Sequence, residues 1–379
     1  MDIFDKVEVL GTAAQYDLCG ACFQSKETAR RQSPIGRWIY PAAMPNGQTI
    51  MLLKTLMSNA CENECSYCAN RCRRNAERQS FTPEELAKLF MTLHAQGLVK
   101  GLFLSSAVAR GSAWMMQQML ASVEILRHRY RFQGYIHLKL LPGSNFDAVE
   151  QATNLADRVS VNLEVPAEKY LSKLTRRKNF GHFLRLMGWV KNLQQKGLSR
   201  AGQTTQFMVG AAGESDQEIL SVTDRCYTDL KLNRVYYSAF QPVADTPLEH
   251  QPATPLIREH RLYQSDFLLR RYGFEFSELG FDQSGNLPLT DDPKTVWANN
   301  HPERFPIEVN TASKDELVRI PGIGPVSAAR IVKHRRTEKI RSLAALKTSG
   351  AVVKRTTGYV LLDGKKPKEL LPAQMELTL

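Results

Sequence analysis

The chain has 379 residues, 43% of them hydrophobic and 23% charged, with a net charge of +12. This is enough apolar material for more than one packed unit, and it excludes an intrinsically disordered chain. No run reaches the apolar length of a membrane span, and Met1-Asp2-Ile3-Phe4-Asp5-Lys6 lacks the apolar segment of a signal peptide, so a cytoplasmic, reducing compartment and no membrane partner are expected. The charge is unevenly spread. Residues 307–379 hold 14 Lys and Arg against 7 Asp and Glu, leaving +5 for the rest of the chain. A basic C-terminal fifth permits a polyanionic partner.

Residues 1–49 read as an N-terminal extension containing Cys19 and Cys22. The apolar run Ile50–Leu53 predicts a buried strand. Thr82-Pro83-Glu84-Glu85 is a helix start, with an N-cap residue, proline at the first helical position and acids in the first turn; this helix is expected to run to about Gly97. Further strands are predicted at Gly101–Leu104, Tyr135–Leu140, Arg158–Val165, Thr205–Val209 and Arg234–Phe240, with helices between them, Trp114–Tyr130 among these. Six β/α units in series require parallel strands and right-handed crossovers, hence a partial (β/α)6 TIM-like barrel over residues 50–247. Residues 248–306, with a helix at Ile257–Tyr272, read as a connector. Residues 307–379 read as a small all-α domain.

Two of these strands alternate in polarity. Val159, Val161, Leu163 and Val165 share one face, with Ser160, Asn162 and Glu164 on the other. Tyr135, His137 and Lys139 likewise oppose Ile136, Leu138 and Leu140. In a β/α arc the apolar face packs on helices, so the polar face lines an interior wide enough to hold ligands. A solvent-facing edge strand would alternate in the same way.

There are seven cysteines, at positions 19, 22, 61, 65, 68, 72 and 226. An odd number without an export signal argues against a disulfide framework. Cys61, Cys65 and Cys68 form a Cys-x3-Cys-x2-Cys loop directly after a strand. Three thiolates so spaced can hold three irons of a cubane and leave the fourth open. Structural zinc needs four ligands, usually as two separated pairs, and no second pair follows at standard spacing.

This loop, with Tyr67 before its last cysteine, resembles the radical S-adenosylmethionine (SAM) superfamily. The resemblance implies a [4Fe–4S] cluster, SAM as cosubstrate, a flavodoxin- or ferredoxin-like electron donor, and reductive cleavage of SAM to a 5′-deoxyadenosyl radical that abstracts a substrate hydrogen. By the same resemblance Tyr67, Ser105, Ser106, Asn162, Glu164, Gly210 and Gln241 fall at SAM-binding positions. Ser105-Ser106 stands where many members have Gly-Gly-Glu, and Gly210-Ala-Ala-Gly213-Glu214-Ser215 resembles their Gly-x-Pro-Gly-Glu-Thr turn. Cys72 and Cys226 are candidates for returning a hydrogen atom to a product radical, as a cysteine does in spore photoproduct lyase; Cys226, on an expected helix, also suits a core position. Cys19 and Cys22 read as unpaired thiols in preference to a redox or metal pair.

In the last domain, Ser313 to Glu316 is a capping box, followed by Pro321-Gly322-Ile323-Gly324 and a second helix from about Pro325 with a cationic end at Lys333–Arg336. This resembles the helix-hairpin-helix motif. It implies phosphate contacts from the backbone and side chains of Gly322, Gly324, Ser327, Arg330 and Lys333. Arg71, Arg73 and Arg74, and Arg176, Arg177 and Lys178, are charge runs that read as solvated faces or, alternatively, as an extension of the phosphate track.

The combination, with Tyr236–Phe240 and Glu259–Gln264, is similar to a bacterial family of DNA modification or repair radical SAM proteins. A nucleic-acid substrate is therefore expected, DNA ahead of RNA, with base modification or repair as the reaction. The alternatives are a tRNA-modifying enzyme, for which methylthiolation would imply a second cluster, a nucleic-acid-binding protein with a structural cluster, and an enzyme for a peptide or small molecule.

Overall fold

The computed structural model describes residues 3–14, 38–43, 49–199 and 201–367; Cys19 and Cys22 lie outside them. The chain divides into two compact units, Met1–Glu259 and His260–Leu379. No helix among the described residues is long and apolar enough to cross a membrane.

The first unit is built on a seven-stranded sheet in sequence order: β1 (Ile39–Ala43), β2 (Thr49–Leu56), β3 (Gly101–Ser105), β4 (Tyr135–Lys139), β5 (Arg158–Ser160), β6 (Gly202–Val209) and β7 (Arg234–Ala239). β1 is antiparallel to β2, and β2 to β7 are parallel throughout. The sheet is open, with β1 and β7 at its edges. Its helices in chain order are α1 (Ile3–Ala13), α2 (Pro83–Ala95), α3 (Ser112–Glu124, continued by a π-turn at Ile125–Arg129), α4 (Phe146–Leu155), α5 (Glu168–Leu174), α6 (Phe180–Gln195), α7 (Asp216–Thr228) and α8 (Leu256–Arg271), the last crossing the boundary between the units. Local chemistry sets where they start. Thr82 with Glu85 and Ser215 with Glu218 form complete capping boxes for α2 and α7, and Asn145 and Asn179 cap α4 and α6.

The sheet alternates as its sequence requires. Leu53, Leu102, Leu104, Ile136, Leu138, Val159 and Val235 are buried, and the helices bury matching stripes such as Leu86, Leu89, Phe90 and Leu93 in α2. Each such side chain contributes roughly 1.5–3 kcal/mol on burial. The opposite face is polar, as expected for a ligand-holding barrel. Lys54, Phe103 and His137 are register partners across β2, β3 and β4. The Lys54 ammonium lies 5.5 Å from the Phe103 ring centre, Phe103 meets His137 edge-on at 4.6 Å, and His137 Nε2 is 3.0 Å from Ser160 Oγ.

The strand expected at Arg158–Val165 ends at Ser160. Thr205 explains why. Its hydroxyl donates to Val161 O (2.7 Å) and accepts from Leu163 N (3.1 Å), taking the place of ladder bonds. The chain bows out and rejoins β6 only at Glu164, through an isolated bridge to Phe207. Glu164 itself has φ +65°, which is costly for a residue with a Cβ and is held by its surroundings.

The stretch expected as a plain extension contains α1 and β1. Helix α1 buries Val7, Leu10 and Gly11; a Cβ on Gly11 would come within 2.4 Å of Trp38 Cβ. Its apolar positions are too few to stand out in sequence and become meaningful only through that close approach.

The second unit continues with α9 (Pro293–Asn300), β8 (Ile307–Glu308), α10 (Lys314–Arg319), α11 (Pro325–His334), α12 (Leu343–Thr348), α13 (Val353–Thr356) and β9 (Val360–Leu361). It is helical but not all-α as expected, because β8 and β9 pair in parallel, Ile307 with Val360 and Glu308 with Leu361. Two-residue strands carry no periodicity that a sequence can display. The core joins Val309, Leu317, Ile320, Ile323, Ile331, Ile340, Leu346 and Val360. The Ser313–Glu316 capping box that opens α10 is formed.

Candidate active site

The loop carrying Cys61, Cys65 and Cys68 leaves β2 and is fastened to the ends of the neighbouring strands. Met57 N–H donates to Ser105 O, Ala107 N–H to Ser58 O and Glu62 N–H to Val108 O, each at 2.8 Å. Its return limb is closed by Arg78, whose guanidinium donates to Asn59 O (2.6 Å) and Asn70 O (3.1 Å) through Nη1 and to Arg71 O (2.7 Å) and Arg74 O (2.9 Å) through Nη2. Nothing in the sequence singled out this arginine, since its partners are all backbone carbonyls.

The three cysteines share one cavity of about 230 Å³ with Tyr67, Ser105, Ser106, Lys139, Asn162, Glu164, Lys178 and Gln241. Asn63 N–H points at Cys61 Sγ and Asn70 N–H at Cys68 Sγ, both at 3.4 Å, an arrangement that favours sulfur as thiolate. Burial works the other way. It pushes the Cys61 thiol up, and with Cys65 alongside it pushes Cys68 up to about 12. The thiols therefore need a cationic partner to ionise, and metal loading releases protons. Among the described residues no three Cys, His, Asp or Glu side chains close on a single ion. Three thiols on one loop facing one cavity suit a cubane, in which each sulfur takes a different iron, better than mononuclear zinc with four donors around one point.

Opposite the loop, the bowed segment after β5 brings Asn162 and Glu164 to the cavity wall. Lys178, placed by sequence in a surface basic track, turns inward instead. Its ammonium is 3.3 Å from Glu164 Oε1 and donates to Tyr67 OH at 3.1 Å; the Lys178 and Glu164 side chains are each 13% exposed. Burial opposes the Lys178 charge, but the hydrogen bond to Tyr67 and the Glu164 carboxylate outweigh it and hold the ammonium charged; burial and Glu164 push the Tyr67 phenol well up, so it stays protonated. The result is a polar wall beside the cysteines in which the Lys178 ammonium is held by Glu164 and Tyr67. Arg176 and Arg177 remain exposed.

The remaining expected site residues divide between the cavity and positions outside it. The Ser106 hydroxyl donates to Ala107 O (2.7 Å) and accepts from Ser58 N–H (3.2 Å), so it braces the loop as well as lining the cavity. Gln241 lines the rim and reaches Thr254 O at 3.4 Å. Gly210 is not in the lining. Its φ is +90°, its N–H donates to the Glu214 carboxylate, and a Cβ there would meet Thr254 Oγ1 at 2.1 Å, so it serves the turn. Cys72 is exposed and Cys226 is buried in α7; neither lines the cavity, and burial pushes the Cys226 thiol up to about 12. Of the arginines after the loop, Arg74 donates to Ala244 O (3.0 Å) and Arg73 pairs with Glu64 (3.0 Å).

In the second unit, Gly322 (φ +84°) and Gly324 form the tip of the turn between α10 and α11, and Arg330 and Lys333 are exposed on α11. Ser327 is buried and donates to Gly350 O at 2.8 Å, so its side chain holds the fold and does not face outward. Arg335 is also turned inward, onto Val309 O (2.8 Å) and Ala312 O (2.6 Å).

Residues 55–226 match the Radical SAM superfamily, a span that takes in the cluster loop and the strands behind the cavity. The chain carries a radical SAM domain. Residues 304–350 match the helix-hairpin-helix motif. A curated relative, the threonylcarbamoyladenosine tRNA methylthiotransferase of Thermotoga maritima, is 21% identical over 199 residues; the match covers 50% of this chain and 44% of that protein, so the chain spans less than half of the relative's length. Among solved structures, methylornithine synthase superposes with a TM-score of 0.48 at 17% identity, over 71% of this chain and 76% of that one. A radical SAM methyltransferase from Sphaerobacter thermophilus does so with 0.43 at 14% identity, over 68% and 84%. The cofactors of a radical SAM domain are a [4Fe–4S] cluster and SAM, and the donor set fits them: Cys61, Cys65 and Cys68 would hold the cluster. Together these cofactors supply one-electron cleavage of SAM and hydrogen-atom abstraction. The chain would present three ionisable thiols to the cluster behind a packed loop, and the polar wall of Ser105, Asn162, Glu164 and Lys178 lies in the same cavity.

Proposed function

We propose that this radical SAM enzyme modifies a nucleic acid, with RNA as the substrate class. The single observation that carries the reading is the joining, in one chain, of a cavity that collects the three cluster cysteines and a polar wall with a helix-hairpin-helix turn whose exposed Arg330 and Lys333 suit phosphate. DNA was the expectation from resemblance. Nothing in the cavity or the hairpin favours DNA repair, because backbone phosphate contacts do not read the sugar. The activity of the curated relative, a tRNA modification, tips the choice toward RNA. SAM and substrate would share the cavity, with Tyr67, Asn162 and Glu164 on the SAM side, and a flavodoxin- or ferredoxin-like protein would supply the electron.

The test is SAM cleavage. The protein is purified anaerobically, reconstituted with iron and sulfide and reduced; 5′-deoxyadenosine is then followed with no nucleic acid, with tRNA and with duplex DNA, with Cys65→Ala as control. Product that requires Cys65 and rises with tRNA supports the reading. A rise with DNA alone returns the substrate to DNA. No product despite about four irons per chain and bound SAM would leave a structural cluster. Iron near eight per chain would point to methylthiolation with a second cluster.

A further inference from the structure

A lysine far outside the expected phosphate-binding residues sits under the hairpin turn. Lys294, on the first turn of α9, is 6% exposed, and its ammonium donates to Ile323 O, the carbonyl between the two hairpin glycines. It also lies 5.0 Å from the centre of the Tyr272 ring, and the Tyr272 hydroxyl is the group a Cβ on Gly324 would meet at 3.0 Å. The carbonyls on either side are tied down too. Pro321 O accepts from Thr356 Oγ1 (3.0 Å) and Gly322 O from Val352 N–H (2.9 Å). In a planar trans peptide the N–H points opposite the C=O. Drawing Ile323 O inward onto Lys294 therefore turns the Gly324 N–H outward, at the start of α11, a helix whose N-terminus has no side-chain cap. Outward N–H groups at an uncapped helix start are what an anion needs.

We propose that Lys294 is the positioning residue of the hairpin's phosphate site: it fixes the Ile323–Gly324 peptide so that its N–H faces the backbone of a bound nucleic acid, and it places a buried positive charge behind that peptide. The inference rests on the nucleic-acid reading above and assigns to Lys294 a role without direct phosphate contact. A buried ammonium is unusual unless something needs it there. Burial opposes its charge and holds Lys294 down to about 7; Asp292 favours the charge, while Arg355 and Arg319 oppose it. Hydrogen bonds from Thr295 and the nearby Arg355 keep Asp292 ionised against its own burial, and burial pushes the Tyr272 phenol up, so it stays neutral. Protonated Lys294 favours the anion, so affinity weakens as pH rises through about 7.

The test uses the full chain and a labelled tRNA transcript, with binding followed by anisotropy across a salt series. Lys294→Met is expected to weaken binding roughly tenfold, the scale of one charge-assisted hydrogen bond, with the slope of affinity against salt unchanged, because a buried ammonium releases no counterion. Arg330→Gln, at an exposed position, lowers both the affinity and the slope, the latter by about one phosphate contact. The wild-type profile at constant ionic strength falls as pH rises through about 7, and that step is missing from Lys294→Met; histidines common to both proteins cancel in the comparison. The proposal is overturned if Lys294→Met lowers the salt slope as Arg330→Gln does, or if a folded Lys294→Met binds with wild-type affinity. Should Lys294→Met not fold, a wild-type affinity flat through pH 7 overturns it equally. No binding by the wild type overturns the nucleic-acid reading as well; binding that Arg330→Gln weakens and Lys294→Met does not sinks the lysine's role alone.

Discussion

Replacing Arg78 with methionine tests how the cluster loop is held. The guanidinium makes four hydrogen bonds, at 2.6–3.1 Å, to carbonyls of Asn59, Asn70, Arg71 and Arg74. A hydrogen bond to a charged donor contributes about 1.5–3 kcal/mol net. The four share one side chain and some of the carbonyls can turn to water, so they are not additive; a loss of about 3 kcal/mol is expected. That loss falls on the loop first, because all four carbonyls belong to it; other bonds, such as Asn59 to Glu77 O, Ser66 N–H to Leu174 O and Arg74 to Ala244 O, keep the rest of it in place. A loop disordered in the metal-free protein must be reordered when iron binds, so the same 3 kcal/mol appears as roughly a hundredfold weaker cluster retention. The assay is iron per chain after reconstitution and exhaustive desalting, beside guanidinium unfolding of the metal-free protein. Arg78→Lys should recover only part of the effect, because a point charge cannot bridge four carbonyls. Arg73→Met is the control: its pair with Glu64 is 74% and 42% exposed, and exposed pairs contribute little. Wild-type iron retention by Arg78→Met, with stability within about 0.5 kcal/mol, would refute the clamp.

Thr205→Val removes both bonds that replace the ladder beside β5 and leaves Val161 O and Leu163 N without their partner; about 2–4 kcal/mol of stability should be lost, with weaker SAM binding by calorimetry as Asn162 and Glu164 shift. Gly322→Ala should destabilise the second unit by about 2–4 kcal/mol, because φ is +84° and the new Cβ would lie 2.5 Å from Thr356 Oγ1 and 2.6 Å from Val352 O; Gly358→Ala, with nothing within 4 Å, should be near neutral by the same thermal melt. Burial raises the Glu218 carboxyl, but hydrogen bonds from Lys169, Tyr170 and Ser215 outweigh it and hold it down to about 2. Because the folded value lies below the usual 4.5, this contribution is present above that pH and is lost as pH falls toward 2. Glu218→Gln should therefore flatten the acid limb of the stability curve over that window, and an unchanged acid limb would show the cluster contributes nothing.

Local signals carried far in this chain. Capping boxes at Thr82 and Ser313 opened helices where expected, the valine and leucine alternation chose the face of each strand that packs on helices, and Cys61, Cys65 and Cys68 sit on one loop because eight consecutive positions and a preceding strand leave them little else. These are properties of near neighbours, which a sequence states directly. β1, β8 and β9 were not legible: β8 and β9 have two residues each, too few to show a period, and β1, Ile-Tyr-Pro-Ala-Ala, carries no apolar-polar alternation.

The sequence by itself determined the repeating β/α order, the polar interior, the three-cysteine loop and the hairpin glycines, because each depends on spacing along one short segment. Tertiary structure alone decided which polar side chains turn inward. Lys178 ends a run of three basic residues and only its own ammonium finds Glu164 and Tyr67, 14 and 111 positions away. Arg78 and Lys294 are set by backbone carbonyls, and any residue type offers a carbonyl. Glu164 reaches the cavity because a threonine hydroxyl 41 positions later interrupts its strand at Leu163. A buried charge goes where a distant partner offsets its desolvation, and that partner is chosen by the fold.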